Sequence, residues 1–150
     1  MLTINPNQIN IKFLNDNAKL PTKGSEYSAG WDLYAAIDSP IVIPAHETAK
    51  VGTGLSMELP HCFFGAIFAR SGLATKEGLR PANCVGVCDA DYRGEYIVAI
   101  HNDTDHTKVI QPGDRIAQLI FLYYMPVEFN VVHELDNTER GAGGFGSTGE

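Results

Sequence analysis

Apolar and polar residues alternate from Ile9 through Ile11 to Phe13, with Asn10 and Lys12 between them, the pattern of a strand with one buried face. Short runs that also read as strands recur at 41–43, 47–51, 54–59, 85–88, 96–100 and 107–110. Pro44, the Gly52-Thr-Gly54 step, Pro60 and Pro112 punctuate them. Residues 63–69 are almost wholly apolar, as a strand buried on both faces would be, and 115–124 is the most hydrophobic stretch of the chain. Residues 126–132 read as a last strand. The helical signal is brief, a turn or two opened by Ser71 and closed by Gly78. The expectation is an all-β fold with many turns and one short helix.

Four places in this pattern carry more chemistry than strand building needs. The runs 85–88 and 96–100 read as a hairpin whose polar turn holds Asp89, Asp91, Tyr92 and Arg93. A carboxylate at a strand end can be fixed, partly desolvated and used as a general base; an ordinary acidic turn has the same composition. Where 63–69 runs into the helix, Arg70, Ser71 and Gly72 offer a guanidinium fork, free backbone N–H groups and room for an anion to approach. Gln118 stands alone among Ile116, Ala117, Leu119 and Ile120, and a buried amide must hydrogen-bond to the fold or to a ligand. The last stretch, 138–150, is too rich in glycine to build a core, yet holds Arg140, Phe145, Ser147 and Thr148 in a fixed order. It reads either as a disordered tail or as a lid that orders over a ligand, a division of the chain into a domain at 1–137 and a flexible arm at 138–150.

Composition narrows the class. The 150 residues suit one domain, and 44% hydrophobic with 19% charged residues is globular composition. A formal charge of −7 argues against nucleic acid as the main partner but leaves room for a small anion held by a few arginines and a metal ion. Cys62, Cys84 and Cys88 form no Cys-x-x-Cys pair and match no closed zinc framework; an odd count suggests reduced thiols and a cytoplasmic setting. Cys84 and Cys88, four apart on one strand, would share a buried face. The first residues show no signal-peptide pattern, and no apolar run is long enough to span a membrane.

Five segments, Ala29-Gly-Trp-Asp-Leu33, Ala69-Arg-Ser-Gly-Leu-Ala74, Gly86-Val-Cys-Asp-Ala-Asp-Tyr-Arg-Gly-Glu95, Gly113-Asp-Arg-Ile-Ala-Gln-Leu119 and Arg140-Gly-Ala-Gly-Gly-Phe-Gly-Ser-Thr-Gly149, occur in an order and spacing that resemble the homotrimeric dUTPase family. The resemblance implies a distorted jelly roll of β-clip type and a three-fold trimer with active sites between subunits. It also implies Mg²⁺-dependent hydrolysis of dUTP to dUMP and pyrophosphate, which keeps uracil out of DNA and supplies dUMP for thymidylate synthesis. By likeness Asp89 is the base that activates water against the α-phosphorus, and Tyr92 lies under the deoxyribose where it excludes a 2′-hydroxyl. Asn83 and the backbone at Val87, Cys88 and Ile97 read uracil. Arg70, Ser71, Gly72 and Gln118 meet the phosphates. Phe145 stacks on uracil while Arg140, Ser147 and Thr148 hold the γ-phosphate. Asp32 corresponds to the acid of the first segment, a candidate to hold a metal-bound water or to act structurally; Mg²⁺ itself is carried mainly by the substrate phosphates.

Trp31, Ala69 and Cys88 depart from the tyrosine, proline and isoleucine commoner at these places, and each keeps the site wall apolar or small. Two other readings compete. A dCTP deaminase of similar fold would need a carboxylate beside C4 of cytosine, and no glutamate is evident for that task. A dUTP-sensing regulatory protein would carry an inserted recognition segment, whereas the connections here are short.

Overall fold

The computed structural model describes residues 8–144. Eleven strands and one short helix are present among them: β1 (Asn10–Phe13), β2 (Trp31–Tyr34), β3 (Ile41–Ile43), β4 (Thr48–Gly52), β5 (Leu55–Glu58), β6 (Phe63–Phe68), α1 (Ser71–Glu77), β7 (Leu79–Pro81), β8 (Gly86–Cys88), β9 (Ile97–Asn102), β10 (Lys108–Ile110) and β11 (Arg115–Tyr123). All pairings are antiparallel, in a four-stranded sheet ordered β2-β11-β6-β8, a three-stranded sheet β4-β9-β7, and the pairs β1-β5 and β3-β10. The fold is all-β, as the alternation implied, and jelly-roll-like, as the family resemblance implied.

Period-two alternation explains the core. Leu33, Ile67, Cys88, Ala117 and Leu119 lie on one face of the four-stranded sheet and meet Val51, Val98 and Ile100 of the three-stranded sheet. The opposite face of the larger sheet carries Asp32, Val87 and Gln118 and stays accessible. α1 ends at Gly78, whose backbone adopts the left-handed conformation (φ 66°) and donates its N–H to Leu73 O. Among the described residues no helix is long and apolar enough to cross a membrane.

Three expectations change. The runs 85–88 and 96–100 do not pair with each other: β8 joins β6, while β9 lies between β4 and β7. The turn after Asp89 therefore crosses between sheets, because the Tyr96 N–H goes to Leu55 O (2.8 Å) and not to the strand it has just left. Cys84 precedes β8, is exposed, and has a positive φ (60°), so the shared-face argument fails and only Cys88 enters the core. Residues 126–132 form no strand; Phe129 and Val131 are 95% exposed and find no partner strand among the described residues.

Candidate active site

The accessible sheet face is built by cross-strand register. Gln118 on β11 sits directly opposite Asp32 on β2 and Phe68 on β6. Arg115 and Gln118 are three apart and would point to opposite faces of a regular strand. A bulge between Arg115 and Ala117 adds a residue, so Arg115 opposes Tyr34 and returns to the face of Asp32. Sequence reading missed Arg115 for this reason, although it lies within the fourth of the five segments.

Asp32 is the electrostatic centre of this face. Its side chain is 14% exposed and accepts hydrogen bonds from Arg70 Nε (2.8 Å) on Oδ1 and from Arg115 Nη1 (3.2 Å) on Oδ2. One carboxylate thus aims two guanidinium groups and leaves the cluster with a net positive charge. Arg70 is the residue before α1, with extended backbone (φ −86°, ψ 128°), and Ser71 and Gly72 follow exposed. Beyond its chain neighbours and the backbone of its own helix, nothing lies within 4 Å of where a Gly72 Cβ would be, so the approach is open. Gln118 Nε2 donates to Ala69 O (2.8 Å), which turns its amide toward the same space. Gly30 leaves room for that amide, since a Cβ there would overlap Gln118 Oε1. Asp32, Arg70, Ser71, Gly72, Arg115 and Gln118 thereby line a polar cavity of about 420 Å³.

The turn that carries Asp89 is braced by backbone contacts. Tyr92 N–H donates to Asp89 O (3.1 Å), Arg93 Nη1 to Ala90 O (2.7 Å), and Ser56 Oγ to Arg93 O (2.8 Å). Glu95 Oε1 accepts from Gly54 N–H (2.8 Å). Asp89, Asn83, Val87, Tyr92 and Ile97 are all exposed on or beside this turn, while Cys88 is buried. Exposure of Asp89 runs against the partly desolvated carboxylate expected from a strand end. Burial, aided by the Asp89 charge, pushes the Cys88 thiol up to about 11, so it is protonated at neutral pH.

The two groups of residues do not meet within one chain. Cys88 opposes Gly65, and Gly86 opposes Ile67, so the chain reaches Asp89 by moving toward the Phe63 end of β6. Arg70 lies beyond the Phe68 end. The span from Gly65 to Phe68 alone is about 10 Å at the usual rise of a strand. Arg140 is exposed and bonds locally through Nε to Gly143 O (3.0 Å); Phe145, Ser147 and Thr148 lie outside the described residues.

The dUTPase family model matches residues 16–149. The chain belongs to the dUTPase family. It is 51% identical over 132 residues to the deoxyuridine 5′-triphosphate nucleotidohydrolase of Desulfitobacterium hafniense, covering 87% of each chain. It is 46% identical over 143 residues to that of Yarrowia lipolytica, covering 94% of this chain and 88% of the other. The dUTPase of Staphylococcus bacteriophage 80alpha, solved with dUPNHPP, superposes with a TM-score of 0.87 at 28% identity, covering 96% of this chain and 99% of that one. A variant of the dUTPase of S. aureus phage phi11, which coordinates a structural Mg(II) ion, shares the fold (TM-score 0.80, 24% identity, 87% of this chain and 100% of that one). Both the cavity and the Asp89 turn fall inside the matched span.

Proposed function

We propose that this dUTPase hydrolyses dUTP to dUMP and pyrophosphate as a homotrimer, with each site shared between protomers. The observation that carries the shared site is the register of β8 on β6, which puts Asp89 and Arg70 beyond opposite ends of one strand. A second copy can bring its Asp89 turn to the cavity of the first, and covering the turn would desolvate the exposed carboxylate. Val127, Phe129 and Val131, exposed beyond β11, are apolar surface that assembly would cover.

In this reading Arg70, Ser71, Gly72 and Gln118 bind the triphosphate, and Arg115 joins them. Phosphoryl hydrolysis chiefly needs positioning and charge neutralisation, which a pair of arginines aimed by one carboxylate supplies. Asp89 takes the proton of the attacking water, Tyr92 faces the deoxyribose, and Asn83 with the backbone at Val87, Cys88 and Ile97 reads uracil. Arg140, Phe145, Ser147 and Thr148 close the site from the arm. Mg²⁺, when bound, would be held by the triphosphate and would neutralise part of its charge. The donor set fits an ion held by phosphates and water: both oxygens of Asp32 are engaged by arginines, and the described residues hold no cluster of three metal-ligating side chains.

The test is pyrophosphate release from dUTP, dCTP, UTP and dTTP in parallel, with Mg²⁺ and with EDTA, alongside the mass of the assembly by light scattering. Mg²⁺-dependent release from dUTP alone by a trimer is the expected result. Ammonia from dCTP, or tight dUTP binding without turnover, would replace the hydrolase reading, and an active monomer would refute the shared site.

A further inference from the structure

Tyr96 is the residue at which the Asp89 turn re-enters the fold. Its N–H donates to Leu55 O (2.8 Å), and its carbonyl accepts from Thr53 Oγ1 (2.6 Å) and Thr53 N–H (3.3 Å). The side chain is 1% exposed and among the largest fully buried ones in the described chain. On one side its ring lies against that of Tyr92, with centroids 6.2 Å apart and planes inclined by 30°. On the other its hydroxyl faces the Cys88 thiol, and Gly65 leaves room beside both side chains, since a Cβ there would stand 3.5 Å from Cys88 Cβ and from Tyr96 Cε2. Tyr96 Oη is buried without a hydrogen-bond partner, the one side-chain N or O atom so placed among the described residues. The Cys88 thiol it faces is a weak partner at best, and phenylalanine would keep the ring's packing against Tyr92 without burying that hydroxyl.

Tyr92 has little else to hold it. Its ring covers Gly94, where a Cβ would collide with it, and its hydroxyl donates to Glu95 O (3.1 Å) on the same turn. Both restraints move with the turn. The Tyr96 backbone is bonded instead to β5 and the Thr53 step, and its side chain is fully buried, so its ring fixes Tyr92 relative to the body of the protein.

We propose that Tyr96 is a positioning residue: its ring sets the height of Tyr92 beneath the sugar and, through Cys88, the place of Asp89. The inference rests on the reading of Tyr92 as the sugar-facing residue. It predicts that sugar selection depends on a ring that never touches substrate.

The experiment measures kcat and KM for dUTP and UTP in Tyr96→Phe, Tyr96→Leu, Tyr92→Ala and the Tyr92→Ala/Tyr96→Leu double variant, with thermal melting of each. Tyr96→Phe should retain the wild-type ratio of dUTP to UTP efficiency. Tyr96→Leu should lower that ratio at least tenfold, and adding it to Tyr92→Ala should lower it no further. A folded Tyr96→Leu with an unchanged ratio, while Tyr92→Ala loses selectivity, would make Tyr96 a core filler and overturn the inference alone. Selectivity undiminished in Tyr92→Ala would overturn the sugar-facing reading and the inference with it. Should Tyr96→Leu not fold, Tyr96→Met takes its place with the same two outcomes, and loss of selectivity in Tyr96→Phe would place the effect in the hydroxyl and refute the role of the ring.

Discussion

Replacing Gly30 with alanine perturbs the cavity proposed for the phosphates at one atom. The new Cβ would overlap Gln118 Oε1 and stand 3.1 Å from Gln118 Cδ, so the amide must swing away. The obstacle is the end of a flexible side chain, and no left-handed φ is recorded for Gly30, so the backbone can stay. Losing the Gln118 to Ala69 hydrogen bond costs about 1 kcal/mol of stability. Stiffening the unfolded chain by a glycine-to-alanine change returns about 0.4–1 kcal/mol. The melting temperature should therefore move by only a few degrees. Activity should not be spared, because a hydrogen bond from a positioned amide to a charged phosphate is worth about 1.5–3 kcal/mol. That converts to a roughly ten- to hundredfold loss in kcat/KM for dUTP. The assay compares Gly30→Ala, Gln118→Ala and the double variant under one set of conditions. If glycine acts only by making room for the amide, the double variant is no worse than the worse single. Wild-type efficiency in Gly30→Ala, or losses that multiply in the double variant, would refute this reasoning.

Asp89→Asn should leave dUTP affinity within a few-fold of wild type, measured by calorimetry, and lower kcat by roughly 10²–10⁴, the scale of a lost general base. Ending the chain after residue 137 should abolish most turnover with little change in melting temperature, since Arg140 and its neighbours bury almost nothing. Cys88 should govern part of the alkaline stability: its folded thiol is held up to about 11. Unfolded thiols ionise near about 8.5, so over that window the unfolded state releases a proton that the folded state keeps, and stability falls as pH rises. Melting of Cys88→Val against wild type between those two values should show a flatter decline; identical slopes would place the effect elsewhere.

Strand positions were legible from alternation at β1 and from unbroken apolar runs at β6 and β11, and the turn around Gly78 was written in its own residues. What the chain could not disclose was which strands pair. The polar turn after Cys88 looks like a hairpin tip, yet Leu55 and Thr53, far away in sequence, claim Tyr96 and divert the second strand to another sheet. The place of Arg115 beside Arg70 was hidden by a bulge, since face assignment by counting fails once a residue is inserted. The parity argument for Cys84 failed because the strand starts only at Gly86. At 126–132 the strand-like composition is present, yet the segment pairs with no strand among the described residues, because strand pairing is settled by a tertiary partner and not by local pattern.

The arrangement along β6 also has a genetic face. With sites shared as proposed, a lesion at Asp89 and a lesion at Arg70 would each inactivate the enzyme while damaging different ends of the same strand. In a cell that makes both products, mixed trimers would pair the intact turn of one subunit with the intact cavity of the other. Two null alleles would then restore activity together, as pairs of lesions confined to one end could not.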